Sequence, residues 1–237
     1  MRKTIYLSIV VLIVAVSMML IAGSALASTV LWYGGDDAYS AAVQSFVNPT
    51  YGNNSNYPAI GTYDDFNLTS KSTITDIFST SFWFTRNNVV STQAEWVVRS
   101  GMSANSAGSV VATGTSTEQL TDVGAYNGYN LKSISLDVPD FTLDAGTYWL
   151  TIMPIVSSGS GSASVAVTHG TNGIGSPLKN GNSFQLSGNS LNRSFSVDFT
   201  YGVKGNPVSS VPEPATLLGF GIPMLMIGLG KLKGLRN

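Results

Sequence analysis

Residues 195–201 read Phe-Ser-Val-Asp-Phe-Thr-Tyr, an alternation of large apolar and small polar side chains. Successive side chains of a β-strand point to opposite faces, so a two-residue period predicts a strand. One face of this strand is expected to pack inward and the other to meet solvent. Residues 74–78, Ile-Thr-Asp-Ile-Phe, predict a second strand of the same kind.

Most of the chain from residue 28 to residue 203 supports the same interpretation. Short segments rich in β-branched and aromatic residues are separated by Gly, Asn, Ser and Pro, and helical periodicity is absent. Evenly spaced strands with turn residues between them are typical of a sandwich or a barrel. We expect an all-β fold, a single antiparallel and jelly-roll-like β-sandwich at 28–203. Its predicted strands are 29–33, 63–68, 73–84, 94–99, 109–114, 131–138, 146–155, 163–168, 183–186 and 194–203.

Polar segments separate these strands, and one segment follows them. We expect loops at 48–61, 157–164 and 170–182, which would lie at the ends of the sandwich, where binding sites are common. Residues 204–211 contain glycine and proline and predict a flexible linker.

The composition of residues 28–210 excludes several classes of function. The whole chain has 13 acidic and 12 basic residues, of which one acidic residue, Glu213, and five basic residues lie outside this span. The span therefore contains 12 acidic and 7 basic residues and has a net charge of −5. Nucleic acid is not expected as a partner, because phosphate binding needs clustered Lys and Arg. The chain has no cysteine, which excludes disulfides, metal thiolates and cysteine nucleophiles.

An apolar stretch follows the charged start of the chain. Residues 5–21 are interrupted only by two serines, and Ala25 and Ala27 are the small residues that a signal peptidase needs. We expect residues 1–27 to be a secretory signal peptide that signal peptidase cuts after Ala27. An uncleaved membrane anchor is the alternative.

A second apolar run covers residues 215–230 and is followed by Lys231, Lys233 and Arg236. As a helix it would be about 24 Å long, slightly less than the ~30 Å hydrocarbon core of a bilayer. The positive-inside rule keeps the three basic residues in the cytoplasm, where they act as a membrane stop. We therefore expect one transmembrane helix at 215–230. A buried core helix is the alternative.

The motif Pro212-Glu213-Pro214 comes directly before this run. A Pro-Glu-Pro motif, an apolar span and basic residues, in that order over 212–237, resemble the PEP-CTERM sorting signal of exported bacterial proteins. The resemblance implies recognition by an exosortase, a membrane-embedded cysteine transpeptidase that cuts near the motif. The basic residues here are spaced singly, whereas the family has a dense arginine cluster.

A second resemblance covers much of residues 28–203. Segments 63–68, 74–77, 96–101 and 143–150 look like segments that recur in the β-sandwich ectodomains of other PEP-CTERM proteins. This resemblance implies a fold and no particular chemistry.

Residues suited to hydrolytic chemistry are few. His169, the only histidine, follows a predicted strand without any accompanying nucleophile motif, so we expect a turn residue and not the base of a triad. Glu95 and Glu118 are the only glutamates of residues 28–210, and a glycosidase needs a pair of carboxylates. We expect no catalytic residues and no enzyme. A secreted hydrolase that uses the two glutamates is an alternative.

Two aspartate doublets, Asp36-Asp37 and Asp64-Asp65, are weak candidates for a cation site. Carboxylates offer the oxygen ligands that Ca²⁺ prefers, but no Asp-x-Asp-x-Asp-Gly loop is present. Solvated turn carboxylates would explain the same residues. We expect no cofactor, with a structural Ca²⁺ as the alternative.

Aromatic residues close to Gly- and Asn-rich stretches suggest a binding surface for polysaccharide. Sugars stack on exposed rings and form hydrogen bonds with nearby amides, while packing at the ends of the sandwich is the simpler explanation of the same residues. The candidates are Trp32, Tyr33, Tyr39, Tyr51, Tyr57, Tyr126 and Tyr129.

Together these features predict an exported, non-enzymatic protein of the cell surface or extracellular matrix. Its C-terminal helix anchors it in the membrane until an exosortase-type transpeptidase processes it, and its role is linked to exopolysaccharide or biofilm. A polysaccharide-binding module is the first alternative and a secreted hydrolase the second.

Overall fold

The computed structural model describes residues 28–48, 59–85, 91–156 and 161–208. The predicted signal peptide, sorting motif and transmembrane helix lie outside these ranges. Within them the chain is all-β, has no helix and pairs its strands in antiparallel fashion. The prediction of an all-β antiparallel fold is confirmed.

The described residues form fourteen strands. They are β1 (Thr29–Tyr33), β2 (Asp37–Gln44), β3 (Phe46–Val47), β4 (Ala59–Leu68), β5 (Ser72–Phe84), β6 (Gln93–Ser100), β7 (Ser109–Tyr126), β8 (Tyr129–Leu143), β9 (Gly146–Pro154), β10 (Ala163–Thr168), β11 (Ser183–Ser187), β12 (Ser190–Phe195), β13 (Asp198–Phe199) and β14 (Tyr201–Pro207).

The long strand β7 joins the two halves of the fold. Its first half, up to Thr117, pairs with β6, and its second half, from Glu118, pairs with β8. The resulting order is β1-β14-β5-β8-β7-β6-β9-β4-β11-β12, with β10, β13, β2 and β3 attached at the sides. The fold is therefore β-sandwich-like, with β7 shared between its halves.

One apolar core lies between these halves. Ile77 and Leu136 enter it from the β5–β8 half, and Trp96 and Ile152 enter it from the β6–β9 half, all of them buried. Complete burial of a large apolar side chain stabilises a fold by roughly 1.5–3 kcal/mol. The inward rows of these strands therefore hold the two halves together.

Residues 195–201 do not form the single strand, with one buried and one solvent-facing side, that their alternation predicts. β12 ends at Phe195, β13 is only two residues long, and β14 begins at Tyr201. Asp198 and Thr200, expected to face solvent, are 6% and 0% exposed. The Thr200 hydroxyl donates to the Ser81 carbonyl oxygen, so this polar face is covered by β5 and is not open to water.

The alternation at 74–78 is likewise interrupted. The register between β5 and β8 shifts between Ile74 and Asp76, so that Ile74 and Ile77 both enter the core. A bulge of this kind moves the following side chains to the opposite face.

The predicted strand bounds agree with the structure at β1 and β10 and differ elsewhere. β7 extends to Tyr126, β2 and β3 were not predicted, and only the last two residues of β12 fall in a predicted strand. β14 extends to Pro207, because Lys204 and Gly205 pair with Val30 and Thr29 of β1. The boundary predicted at residue 203 therefore lies inside a strand.

Candidate functional site

Three carboxylates come together inside the described part of the chain: Asp64, Asp65 and Asp198, called the aspartate cluster below. Each offers one oxygen, and the three oxygens lie within 4.8 Å of one another. The three residues are 1%, 3% and 6% exposed. Ionised carboxylates are rarely buried without a compensating charge, so this arrangement is the most unusual polar feature of the described residues.

Strand β4 positions the first two carboxylates at the point where it changes partner. Up to Tyr63 it pairs with β11, and from Asp64 onward it pairs with β9. The third carboxylate comes from β13, where Asp198 lies opposite Thr168 of β10. Strands remote in sequence therefore build the aspartate cluster.

Backbone N–H groups hold two of the carboxylates in place. The N–H groups of Phe199 and Asp65 donate to the two oxygens of Asp64, with N···O distances of 2.7 and 3.1 Å. The N–H of Gly181 donates to Asp198 Oδ1 at 2.8 Å. Gly181 has φ +62°, and a Cβ there would lie 2.6 Å from the Ser196 backbone, so only glycine fits this approach.

The loop between β10 and β11 covers the aspartate cluster. The side-chain amides of Asn180 and Asn182 both donate to Asp65 Oδ2, at 3.0 and 3.2 Å. Asp65 Oδ1 has no contact with solvent, and no residue in the described ranges donates a hydrogen bond to it. These two asparagines belong to the predicted loop 170–182, and their side chains form hydrogen bonds with the Asp65 carboxylate.

Burial dominates the electrostatics of the aspartate cluster. It raises the pKa of Asp64 well above the usual value, with the nearby charge of Asp198 as the next cause. Burial also raises the pKa of Asp65 and that of Asp198. The salt bridges among the described residues join Lys71 to Asp144 and Lys132 to Asp122, so none of them neutralises the cluster.

Only one of the two predicted aspartate doublets belongs to this cluster. Asp36 accepts hydrogen bonds from the Tyr33 hydroxyl at 2.6 Å and the Asn172 amide at 2.7 Å. Asp37 Oδ2 accepts hydrogen bonds from the Ser81 hydroxyl and the Trp83 indole N–H. Asp36 and Asp37 are thus satisfied by neutral donors.

Asp198 was not among the predicted cation ligands. It occupies a polar position of an alternating segment, which gave it the pattern of a solvent-facing residue. Two signals could have pointed to it: the adjacent polar loop 170–182, and the absence of Lys or Arg beside it in sequence.

A second grouping consists of Tyr39, Trp83, Tyr126 and Tyr129, called the aromatic patch below. Ring centroids lie 5.8 Å apart for Tyr39 and Tyr126, 5.3 Å for Trp83 and Tyr126, and 5.7 Å for Trp83 and Tyr129. Tyr39 is 51% and Tyr129 37% exposed, whereas Trp83 is buried beneath them. The patch therefore exposes tyrosine rings that are packed on or near the buried Trp83.

Local backbone geometry displays the exposed rings. Asn127 and Gly128, both with positive φ, form the tight turn that places Tyr126 opposite Tyr129 in the β7–β8 hairpin. Tyr39 itself has φ +51°, in a stretch where β2 bulges out between its pairings with Ala166 and Thr168. The Asn-Gly pair is a recognised hairpin signal and could have predicted this turn from sequence.

The other aromatic candidates do not join the patch. Trp32 and Tyr33 are buried, and the Trp32 indole N–H donates to the carbonyl oxygen of Pro177. Tyr51 and Tyr57 lie outside the described residues. For Trp32 and Tyr33 the packing explanation is thus confirmed.

The two glutamates of the hydrolase alternative point to opposite faces. Ala94 pairs with Ser116 and Glu95 with Thr115, so Glu95 lies on the face opposite to Ser116 and Glu118. A glycosidase needs its two carboxyl groups on either side of one substrate bond. These residues cannot serve as such a pair. His169 is an exposed residue that follows β10, as a turn residue would be.

The predicted processing and sorting residues all lie outside the described part of the chain. They are Ala25, Ala27, Pro212, Glu213, Pro214, Lys231, Lys233 and Arg236. Among the residues that the structure does describe, none belongs to a helix with the length and apolar character needed to cross a membrane. The predicted span 215–230 therefore stays a prediction.

No protein-family model matches this chain, and no curated protein matches it either.

Proposed function

We propose that this chain is an exported, non-enzymatic protein of the cell surface or extracellular matrix, sorted by an exosortase-type transpeptidase. The observation that carries the proposal is the order of features along residues 212–236: Pro212-Glu213-Pro214, the uncharged run 215–230, then Lys231, Lys233 and Arg236. The all-β unit before them supports it, since the last described strand ends at Pro207, five positions before the motif.

The two prolines suit the motif to a peptide-cutting enzyme. Proline fixes its own φ and biases the preceding residue toward an extended backbone, so Glu213 is held extended between Pro212 and Pro214. A transpeptidase needs an extended segment in its groove, and the Glu213 carboxylate is the single charge of that segment.

The remaining steps follow from the two apolar segments. Signal peptidase removes residues 1–27 after Ala27, and the helix at 215–230 then anchors the jelly-roll-like domain on the outer side of the membrane. Processing near the motif transfers the domain to the cell surface or the extracellular matrix, in association with exopolysaccharide or biofilm.

Substitution of Glu213 tests this proposal. Glu213→Ala should leave export intact but keep the protein uncleaved in the membrane, because the motif loses the negative charge by which the transpeptidase recognises it. Cell fractions are probed with one antibody against residues 28–208 and another against the C-terminal tail, so that cleavage between the two parts can be detected. The control is Asp140→Ala, which removes an exposed carboxylate of β8. Normal processing of Glu213→Ala in cells that contain the exosortase would overturn the proposal.

The aromatic patch favours a second function, polysaccharide binding by the same exported domain. A tyrosine ring offers an apolar face for a sugar ring and a hydroxyl for hydrogen bonding, and Tyr39 and Tyr129 are exposed. The neighbouring turn adds the amide of Asn127.

Retention on immobilised exopolysaccharide from the producing cells measures this binding. Replacing both Tyr39 and Tyr129 with alanine should abolish retention, whereas Tyr129→Phe, which keeps the ring, should retain most of it. Val111→Ala, an exposed apolar position on β7 outside the patch, is the control. Full retention of the double alanine variant would exclude the patch as the binding surface.

A further inference from the structure

We propose that the aspartate cluster binds one divalent cation, and that this cation is Ca²⁺. The site consists of Asp64 and Asp65 of β4 and Asp198 of β13, closed by the loop that carries Asn180 and Asn182. The proposal does not depend on how the chain is exported or sorted.

The spacing of the three oxygens suits a shared ion. Ca²⁺ binds oxygen at about 2.3–2.6 Å, so two ligands of one ion lie at most about 5 Å apart. One oxygen from each of the three aspartates meets this limit, because all three lie within 4.8 Å of one another. The carboxylates are also too close and too buried to stay ionised together without a positive charge between them.

An independent observation points to a ligand: one carboxylate oxygen has no partner. Asp65 is 3% exposed, and its Oδ1 has neither a hydrogen-bond donor among the described residues nor contact with solvent. Its other oxygen, Oδ2, accepts two amide hydrogen bonds, so the side chain is held while Oδ1 remains available. A buried acceptor of this kind is costly, and a cation would satisfy it.

The existing hydrogen bonds orient the other carboxylates without using up their capacity. A carboxylate oxygen carries two lone pairs, so Asp64 Oδ2 can accept from the Phe199 N–H and still bind an ion. Asp198 Oδ1 likewise accepts from the Gly181 N–H. Such supporting donors are common around metal ligands, because they fix the direction in which the ligand points.

The chemistry of the ligands selects the ion. All three are hard oxygen ligands, the chain has no cysteine, and His169 is exposed and not part of the group. Zinc and copper prefer nitrogen or sulfur. Mg²⁺ demands near-ideal octahedral geometry and gives up its waters reluctantly, whereas Ca²⁺ accepts irregular oxygen sites and would complete its shell with backbone carbonyls or water.

The competing explanation is that the carboxylates share protons and bind no ion. The full-length chain in detergent, stripped with EDTA and dialysed, distinguishes the two in a calorimetric titration with CaCl₂ and in thermal unfolding. We expect one Ca²⁺ per chain and a rise in Tm of about 5 °C or more in 1 mM CaCl₂. Absence of both binding and shift would overturn the proposal, and an equal shift in MgCl₂ would overturn the choice of Ca²⁺.

Asp198→Asn locates the site. Asparagine keeps an oxygen for the Gly181 N–H but removes one charge, so the Ca²⁺-dependent shift should be lost. In EDTA this variant should melt at or above the wild-type temperature, since the repulsion is relieved. Asp140→Asn, at an exposed position of β8, is the matched control and should keep the full shift. If Asp198→Asn kept the full Ca²⁺-dependent rise in Tm, the ion would bind elsewhere and the proposed site would be wrong. If the variant does not fold, the calorimetric titration of the wild type decides the proposal.

Discussion

The two aspartate doublets have the same dipeptide sequence but differ in burial and in the groups around them. Asp36-Asp37 is half-buried, and its oxygens accept hydrogen bonds from neutral hydroxyl, amide and indole donors. Asp64-Asp65 is almost fully buried, and a third carboxylate, Asp198, lies within 4.8 Å. The first doublet makes ordinary polar contacts, and the second belongs to a buried group of three carboxyl groups that no salt bridge among the described residues neutralises.

Position in the sheet explains this difference. Asp37 begins β2, which among the described strands pairs with β10 alone and so forms an edge of this part of the sheet. Asp64 and Asp65 lie in β4, which has β3 and β11 on opposite sides near its start and pairs with β9 from Asp64 onward. An identical pair of residues is therefore partly exposed and satisfied by neutral donors at the edge. At the centre it is buried, where only a specific partner can compensate a charge.

The largest effect should follow from removing a central carboxylate. Asp64→Ala leaves the buried N–H groups of Phe199 and Asp65 without acceptors. Each such loss costs about 1–3 kcal/mol, so we expect the free energy of unfolding to fall by roughly 3 kcal/mol. Urea denaturation in EDTA measures this without a contribution from cations. A loss below about 1 kcal/mol would mean that the two donors are not truly buried.

Glu118 sharpens the comparison, because it is a buried carboxyl group whose oxygens accept no hydrogen bond of 3.5 Å or less from the described residues. The Ser91 hydroxyl lies nearby and opposes the effect of burial on the Glu118 pKa, but its hydrogen bonds go to the carbonyl oxygens of Gln93 and Ile155. Burial raises the pKa of Glu118 from 4.5 to about 7. The folded state therefore holds this proton more tightly than the unfolded state.

The pH dependence has a definite sign. The stability linked to Glu118 is fully present below pH 4.5 and is lost as the pH rises through about 7. At 1.36 kcal/mol per pKa unit, the loss is at most about 3 kcal/mol. Urea denaturation at pH values from 4.5 to 8 should show this decline in the wild type and a flatter profile in Glu118→Gln. Parallel profiles would show that Glu118 titrates normally.

The smallest effect is expected at the edge doublet. Asp36→Ala removes an acceptor from Tyr33 and from Asn172, but the Tyr33 hydroxyl also contacts Thr80 Oγ1 at 2.9 Å, and the hydrogen bond to Asn172 is exposed. We expect a loss of about 1 kcal/mol in the same urea assay. A loss as large as that of Asp64→Ala would remove the distinction between the two doublets.

Much of the fold could be predicted from the sequence, because strand patterns are local. β1 and β10 have the predicted bounds, since turn residues flank each of them. The failures occur where tertiary contacts override the pattern: the shift between Ile74 and Asp76 changes the face of the side chains that follow, and the loop 170–182 buries Asp198. A two-residue alternation of apolar and polar side chains does not indicate where a strand bulges or where a loop covers it.

The candidate site was predictable only in part. The doublet Asp64-Asp65 is visible in the sequence, but its third member is 133 positions away along the chain, and no local motif connects them. Tyr126 and Tyr129 could be paired through Asn127-Gly128, whereas Tyr39 joins them only because β2 bulges outward. The aspartate cluster and the aromatic patch both depend on how the strands pair, which cannot be derived from the distance between residues along the sequence.

Mass spectrometry of the protein recovered from outside the cell tests the central proposal, export followed by sorting at the Pro-Glu-Pro motif, most directly. The N-terminal residue should be Ser28, and the C-terminal peptide should end near residues 212–214, without the apolar run 215–230. Recovery of exported protein that still carries Met1 and Asn237 would contradict both processing steps and the function derived from them.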